Sequence, residues 1–379
     1  MVAAIMAAAG HRVGMTTSDG ITVDGTQIAS GDMAGPASAR MVLKNPVVDI
    51  AVLETARGGI LREGLGFDRC NVAVVTNVAA DHLGLGGIET VEDLARVKAV
   101  VPRSVFQDGA SVLNADNLWT VEMARSARGE IIFFSMDEEN PIIRDHLRER
   151  GRAVVLRSVP EGEMLTLLEH KRETSVLRTA EIPATLGGRV RANTANALAA
   201  CAAAVACDIP LECLRDALRT FTTEFGQTPG RFNLMEIEGR QVVMDYGHNV
   251  AGLEAMADFV HRTAAPQSVG VIAIAGDRRD EDIRAFGVLA GMTFDRVVIR
   301  EHDDPRGRAR RGCPVAPGGC RERGSSSRSG YRCPGRGGGG PRGDRSCRAW
   351  RSGGRPGVPH SGGLGFAAAA RPGCRAVRP

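Results

Sequence analysis

Glu54 closes a short apolar run, DIAVLE at 49–54, and Thr76-Asn77 close a second, NVAVVTN at 71–77, with Asp81-His82 just beyond it. Runs of this length, rich in β-branched residues, read as buried parallel strands. In open α/β sheets ligands bind beyond the carboxyl ends of the strands. A carboxylate and an imidazole converging there suit a divalent metal, and Mg²⁺ takes oxygen ligands with few protein contacts. The plainer reading is a helix-capping Asp81 and a solvated His82. Lys98 stands out because the chain has three lysines against 45 arginines. It lies on the helical pattern Leu94, Val97, Val101, at the apolar edge. A snorkelling stem explains that placement; a need for an amine that can lose its charge explains the choice of lysine over arginine.

The second half of the chain offers Gly230-Arg231, then Asp245-Tyr246-Gly247-His248-Asn249, then Gly276-Asp277-Arg278-Arg279-Asp280. The last two stand where a strand passes into a helix. A strand-end carboxylate suits a ribose hydroxyl, Arg231 suits phosphate, and the N–H groups of a helix start favour anions. Turn chemistry with N-caps is the plainer reading of both junctions.

These residues need elements to hold them. The pattern predicts a helix at 2–9, a strand at 12–17 and a hairpin at 21–28 turning at Asp24-Gly25. Helices are expected at 36–43, 91–101, 191–206 and 211–221. Strands are expected at 111–114, 131–135 and 153–156, with an antiparallel pair within 165–184. After Pro229-Gly230 come a hairpin at 232–245, a helix at 250–262, a strand at 270–275, a helix at 280–290 and a strand at 296–300. This alternation implies two α/β domains, 1–228 and 229–308. Residues at 43% hydrophobic and 24% charged can fill a core. No apolar run is long enough for a membrane span, and the apolar N-terminus has no basic region before it, so no signal peptide is expected.

Residues 309–379 are a different kind of sequence. They hold 15 Arg, 18 Gly and 8 Pro in 71 positions and carry +13, leaving −9 for the first 308 residues against +4 for the whole chain. Only five of the 71 are Leu, Ile, Val, Met or Phe. Ordering a residue costs roughly 1–2 kcal/mol of backbone entropy, which so little apolar area cannot offset, so the segment is expected to be disordered and to add nothing to the fold. Five of the nine cysteines lie here without a C-x-x-C pair, which argues against a zinc site. An arginine-rich arm for nucleic acid is weighed and set aside, because aromatics are scarce and no motif repeats. A change of reading frame in GC-rich DNA near codon 308 explains the composition best. The other cysteines, Cys70, Cys201, Cys207 and Cys213, show no disulfide framework and fit a cytoplasmic setting.

The segments at 53–85 (LETARGGILREGLGFDRCNVAVVTNVAADHLGL), 230–233 (GRFN), 245–249 (DYGHN) and 275–284 (AGDRRDEDIR) resemble the Mur ligase family in order and spacing. The ETARGGILREGL wording and MTTSDGI at 15–21 are more similar to the Mur-like part of cyanophycin synthetases than to the peptidoglycan ligases. The resemblance implies a P-loop-type central domain and a Rossmann-like C-terminal domain. It implies use of ATP and Mg²⁺ to make an acyl phosphate, which an amine then attacks. Here the amine would be that of arginine and the acceptor an aspartate side chain of a polymer or peptide. Glu54 and His82 match metal positions, and Lys98 matches a lysine that is often carbamylated. Asn193 or Asn196 matches the asparagine near the base, Arg231 the phosphate-side arginine and Asp245 the ribose acid, with His248 and Asn249 beside it. Thr16, Thr17 and Asp19 match the acceptor region. Arg57, in the ARGG wording, is grouped with the substrate residues, as are Asp277 and Arg278 near the incoming amino acid. Family members often form homo-oligomers; no membrane partner is implied, and nucleic acid is not expected.

The family also needs G-x-x-x-x-G-K-S/T before its first helix. None of the three lysines follows a glycine, so that motif is absent from the sequence. The expectation is a piece with a late start and an incomplete last domain. The alternatives are another Mur-type ligase, for a peptidoglycan precursor or a folate, and a non-catalytic binding protein without a P-loop. A phosphate cradle supplies positioning and charge stabilisation commonly worth several kcal/mol each. The purified 379-residue chain is therefore expected to release no phosphate when given ATP, arginine and an aspartate-containing primer; primer-dependent release would overturn that.

Overall fold

The computed structural model describes residues 1–81, 83–273 and 278–300, together with the backbone of 331–334 and 366–370. Two compact units divide the chain, one of Met1–Ala79 with Leu83–Thr222, the other of Ala80–His82 with Thr223–Pro379. The division falls a few residues before the expected 228. The reason is Asn233, which is 1% exposed and donates to the carbonyls of Thr223 and Thr228, tying that stretch to the second unit.

In the first unit, α1 (Val2–Ala8) precedes a four-stranded sheet ordered β3-β2-β1-β4. Its strands are β1 (Val13–Thr17), β2 (Gly20–Val23), β3 (Thr26–Ser30) and β4 (Ile50–Leu53), with α2 (Pro36–Leu43) between the last two. The β2–β3 hairpin turns where Asp24 and Gly25 have φ of 47° and 75°, the left-handed pair that a tight two-residue hairpin requires. β1 runs parallel to β4, Thr16 facing Leu53 in register, so both strands end at the same edge. Gly14 of β1 has no room for a β-carbon, which would overlap Val42 of α2.

The larger sheet is ordered β10-β9-β8-β7-β6-β5. After α3 (Arg57–Glu63) come β5 (Cys70–Val75), α4 (Val91–Lys98), α5 (Val100–Arg103), β6 (Val105–Asn114), α6 (Leu118–Met123), β7 (Glu130–Ser135) and α7 (Pro141–Arg148). β8 (Arg152–Val159), β9 (Gly162–Glu169) and β10 (Arg172–Arg178) follow. β5 to β8 are parallel; β9 and β10 continue as an antiparallel meander.

One face of this sheet is covered by α8 (Arg191–Ala206), with α1 and α9 (Leu211–Thr220) against it. Every residue of α8 from Ala197 to Ala204 is at most 3% exposed. Alanine suits that site, since it has the highest helix propensity and the smallest side chain that still does so. α4, α6 and α7 lie on the other face around Leu94, Met123 and Ile143. The helix expected over 91–101 is interrupted at Ala99 and restarts as α5. α6 and α7 were not expected as separate elements; α6 is announced by the asparagine cap Asn117, and α7 by Asn140 followed by Pro141 at its first position.

The second unit has β11 (Asn233–Ile237), β12 (Arg240–Asp245), α10 (Val250–Thr263), β13 (Ser268–Ile272), α11 (Asp280–Thr293) and β14 (Arg296–Ile299). Within 309–379 two short strands are described: β15 (Tyr331–Pro334) pairs with β14, and β16 (Phe366–Ala370) pairs with both β12 and β13. Strand edges carry unpaired N–H and C=O groups that an extended segment satisfies whatever its composition. The remainder of that segment lies outside the described residues. Among the described residues no helix is long and apolar enough to cross a membrane.

Phe134 of β7 is 1% exposed within the cluster that includes Leu198 and Ala202 of α8. Phe134→Ala is expected to destabilise the first unit by about 3–5 kcal/mol, the usual cost of emptying a buried phenylalanine site. Urea unfolding followed by far-UV circular dichroism measures it, and a loss under about 1 kcal/mol would show that the helix–sheet contact is looser than described.

Candidate active site

The adjoining ends of β1 and β4 carry the first candidate cluster. Glu54, immediately after β4, is exposed, and its carboxylate accepts from the Ser18 backbone N–H at 3.1 Å and the Ser18 hydroxyl at 2.9 Å. The Glu54 N–H donates to the carbonyl of Thr16 at 3.1 Å, so strand and loop are locked together. Thr17 Oγ1 accepts from the Asp19 N–H at 3.1 Å. Thr16 is 1% exposed, and its hydroxyl has no hydrogen-bond partner among the described residues. The structure thus brings Thr16, Thr17, Asp19 and Glu54 together. Ser18, which orients the carboxylate, was the one residue of MTTSDGI between named candidates that the sequence reading passed over.

Arg57 opens α3, and its guanidinium donates to the carbonyl of Leu85 at 3.1 Å. It therefore reaches the loop that follows β5. Lys98 is the last residue of α4, half-buried, on a helix that packs against α3 and α6. A reciprocal capping box, Thr90 with Asp93, fixes the start of that helix. Asn193, in the first turn of α8, donates to the carbonyl of Ala184 at 2.8 Å, and Asn196 donates to Asn193 Oδ1 at 3.4 Å. His82 and Asp277 lie outside the described residues.

In the second unit, Asp245 ends β12 at 8% exposure. Its carboxylate accepts from the N–H groups of Phe232 at 3.0 Å and Gly247 at 2.8 Å. Burial raises its pKa, and the two N–H donors, Arg231 and His248 act in the opposite direction. The Arg231 guanidinium stands 4.9 Å from the centroid of the Tyr246 ring, and His248 meets that ring edge-on at 5.3 Å. Tyr246 was not a sequence candidate; only its place between Asp245 and His248 could have marked it. Asp81 lies 3.7 Å from His248 Nε2 and 3.8 Å from an Arg278 amino group. Asn249 caps α10, accepting from the Gly252 N–H at 2.8 Å, which is the plainer role allowed for it.

No three His, Cys, Asp or Glu side chains converge as a metal cage among the described residues. The four described cysteines are unpaired, and burial pushes the Cys201 thiol up to about 12, which disfavours the thiolate. The chemistry available is therefore that of oxygen donors, guanidinium groups and one half-buried amine.

The Mur ligase middle domain matches residues 1–204, and the Mur ligase glutamate ligase domain matches residues 230–312. The chain is 46% identical over 301 residues to the cyanophycin synthetase of Crocosphaera subtropica, covering 79% of this chain and 34% of that one. It is 44% identical over 309 residues to that of Synechocystis, covering 82% and 35%. The chain thus spans about a third of the length of the curated relatives it matches. Among solved structures, MurF of Acinetobacter baumannii superposes with a TM-score of 0.56 at 19% identity, covering 79% of this chain and 60% of that one. The fold is therefore that of these ligases.

The raised pKa of Asp245 has a pH consequence with a definite sign. An acid that holds its proton more tightly when folded stabilises the fold most below its unfolded pKa, and that contribution is lost as pH rises through the folded value. The stability gap between the natural chain and Asp245→Asn is expected to narrow or reverse as pH rises from about 4 towards 7. Melting temperatures of the two proteins across that range measure it; a constant gap would show that Asp245 titrates as an ordinary surface carboxylate.

Proposed function

The chain belongs to the Mur ligase family, and from that premise we propose that it carries ligase machinery of the cyanophycin-synthetase kind. The reaction is ATP-dependent amide formation: a carboxylate takes the γ-phosphoryl group as an acyl phosphate, and an amine displaces phosphate. The acceptor is the side-chain carboxylate of an aspartate in a polymer or peptide, and the amine is that of arginine. Identity of 44–46% to cyanophycin synthetases supports this choice over the peptidoglycan ligases.

The observation that carries the reading is Glu54 at the shared edge of β1 and β4. It is exposed and oriented by two donors from Ser18, immediately after β4 and beside the end of β1 that carries Thr16 and Thr17. One oriented, exposed carboxylate fits Mg²⁺, which is usually held by one or two carboxylates together with substrate phosphates rather than by a closed protein cage. Glu54 and His82 would hold it, and when bound it would neutralise phosphate charge. Thr16, Thr17 and Asp19 receive the acceptor carboxylate. Lys98, as a carbamate, presents an anion at the end of α4. Asn193 and Asn196 face the base, Asp245 the ribose and Arg231 the phosphates, with His248 and Asn249 beside them. Arg278 and Asp277 lie near the incoming amine, and Arg57 borders the substrate region.

Lys98 separates this reading from a structural one. The test uses a chimera in which the P-loop segment of a cyanophycin synthetase precedes Met1. Glu54→Ala is expected to lower amide formation by orders of magnitude with little change in melting temperature, as loss of a preorganised charge at a transition state does. Lys98→Ala should be similarly severe, with partial recovery on adding short carboxylates. Lys98→Arg should not recover, since a guanidinium keeps its charge and cannot be carbamylated. A near-normal rate for Lys98→Arg would leave only the snorkelling role.

A further inference from the structure

The segment 76–88 joins β5 to α4 and carries Asp81 and His82. Three side chains from outside the segment grip its backbone. Asn114, the last residue of β6, donates Nδ2 to the carbonyl of Thr76 at 2.9 Å. Asn117 bonds Val78 in both directions: its Nδ2 donates to the Val78 carbonyl at 3.1 Å, and the Val78 N–H donates to its Oδ1 at 3.4 Å. On the far side, Arg57 donates to the Leu85 carbonyl at 3.1 Å. Apolar anchors alternate with these polar ones. Val78, Leu83 and Ile88 are 2%, 7% and 7% exposed in the cluster around Leu94 and Met123. The tip is closed by the Gly84 N–H donating to the Ile88 carbonyl at 2.8 Å.

A connection between two elements needs none of this. Fixing each residue costs roughly 1–2 kcal/mol of backbone entropy, and here side chains from three other elements oppose that cost on either side of one short stretch. The fastenings fall at Thr76, Val78 and Leu85, on either side in sequence of Asp81 and His82. We infer that Asn117 is a positioning residue for that stretch, with Arg57 as the second fastening. The inference rests on the ligase reading, in which His82 stands beside the metal, and it assigns Arg57 a role in holding the protein's own backbone in addition to bordering substrate.

Asn117 has a second task, since its Oδ1 also accepts from the Thr120 N–H at 3.3 Å as the cap of α6. That overlap supplies the variant. Asn117→Asp keeps an oxygen for the cap and for the Val78 N–H, and aspartate caps as well as asparagine. It replaces the amino group that donates to the Val78 carbonyl with a charged oxygen, which cannot donate and repels that carbonyl. Arg57→Gln releases the other side without touching α6.

Hydrogen exchange by mass spectrometry on the full 379-residue chain, paired with Mn²⁺ and ADP binding by electron paramagnetic resonance on the P-loop chimera described above, tests the assignment. In Asn117→Asp, amides of 76–83 should exchange about fivefold faster, the equivalent of one hydrogen bond. In Arg57→Gln the same should hold for 83–88. Peptides from β7 and α8 should be unchanged, and Mn²⁺ with ADP should bind several-fold more weakly to both variants. Unchanged exchange at 76–88, acceleration spread equally through β7 and α8, or faster local exchange with unaltered Mn²⁺ binding would each overturn the positioning role. Failure of the chimera with unaltered Asn117 and Arg57 to bind Mn²⁺ with ADP would instead overturn the metal reading on which it rests.

Discussion

The first unit depends on how closely α8 can lie against the parallel strands β5 to β8. Eight consecutive residues of that helix are buried, six alanines and one cysteine beside one leucine. A helix buried on all sides gains nothing from an amphipathic stripe, so its position is set by the fit of small side chains to the sheet and to α1 and α9. With that face sealed, α4, α6 and α7 must occupy the other. The loops leaving β5, β6 and β7 are then gathered at one carboxyl edge.

Strand ends at such an edge run out of ladder partners, and their backbone groups must be satisfied by side chains. That demand explains the concentration of short polar residues there. Asp116 accepts from the Ser135 hydroxyl, from Asn140 and from the Met136 N–H, while Asn114 and Asn117 serve the backbone of Thr76 and Val78. Ser135 is fully buried and Asn140 is 9% exposed, so their bonds replace costly unpaired groups rather than competing with water. The edge that can bind ligands is the edge that must already be rigid.

This accounts for what was legible in the sequence. Elements whose signals are local were placed within a residue or two: α2 from Pro36, the hairpin from Asp24-Gly25, and α8 from its run of alanines. α6 is short, and the asparagine caps of α6 and α7 resemble ordinary loop residues until the partner strand is known. β6 begins at Val105, six residues before the expected strand, because Phe106, Gln107 and Asp108 are exposed and break the apolar pattern. The paired strands of the basic segment have no sequence signal at all, since edge pairing asks only for backbone. Glu54 and Asp245 could be named from their places after apolar runs. Their partners could not, because Ser18 lies 36 positions from Glu54 and Phe232 lies 13 from Asp245.

The two strand-end carboxylates, alike in sequence, are opposites in physics. Glu54 is solvated, and both of its donors come from one serine, so its outward lone pairs remain open to a cation. Asp245 is buried, and the donors that compensate its charge are backbone groups on either side of it in space. One of those donors, Phe232, has a φ of 50°, a left-handed conformation that costs an aromatic residue about 1–3 kcal/mol unless its surroundings impose it. Asp245 is therefore bound first to the task of holding the GRFN turn against β12. Any ligand it meets must approach a carboxylate that is already spoken for on its inner side. A hydroxyl, which donates one hydrogen bond and brings no charge, suits that remaining capacity better than a metal ion, whereas Glu54 has the open, charged face that a metal requires.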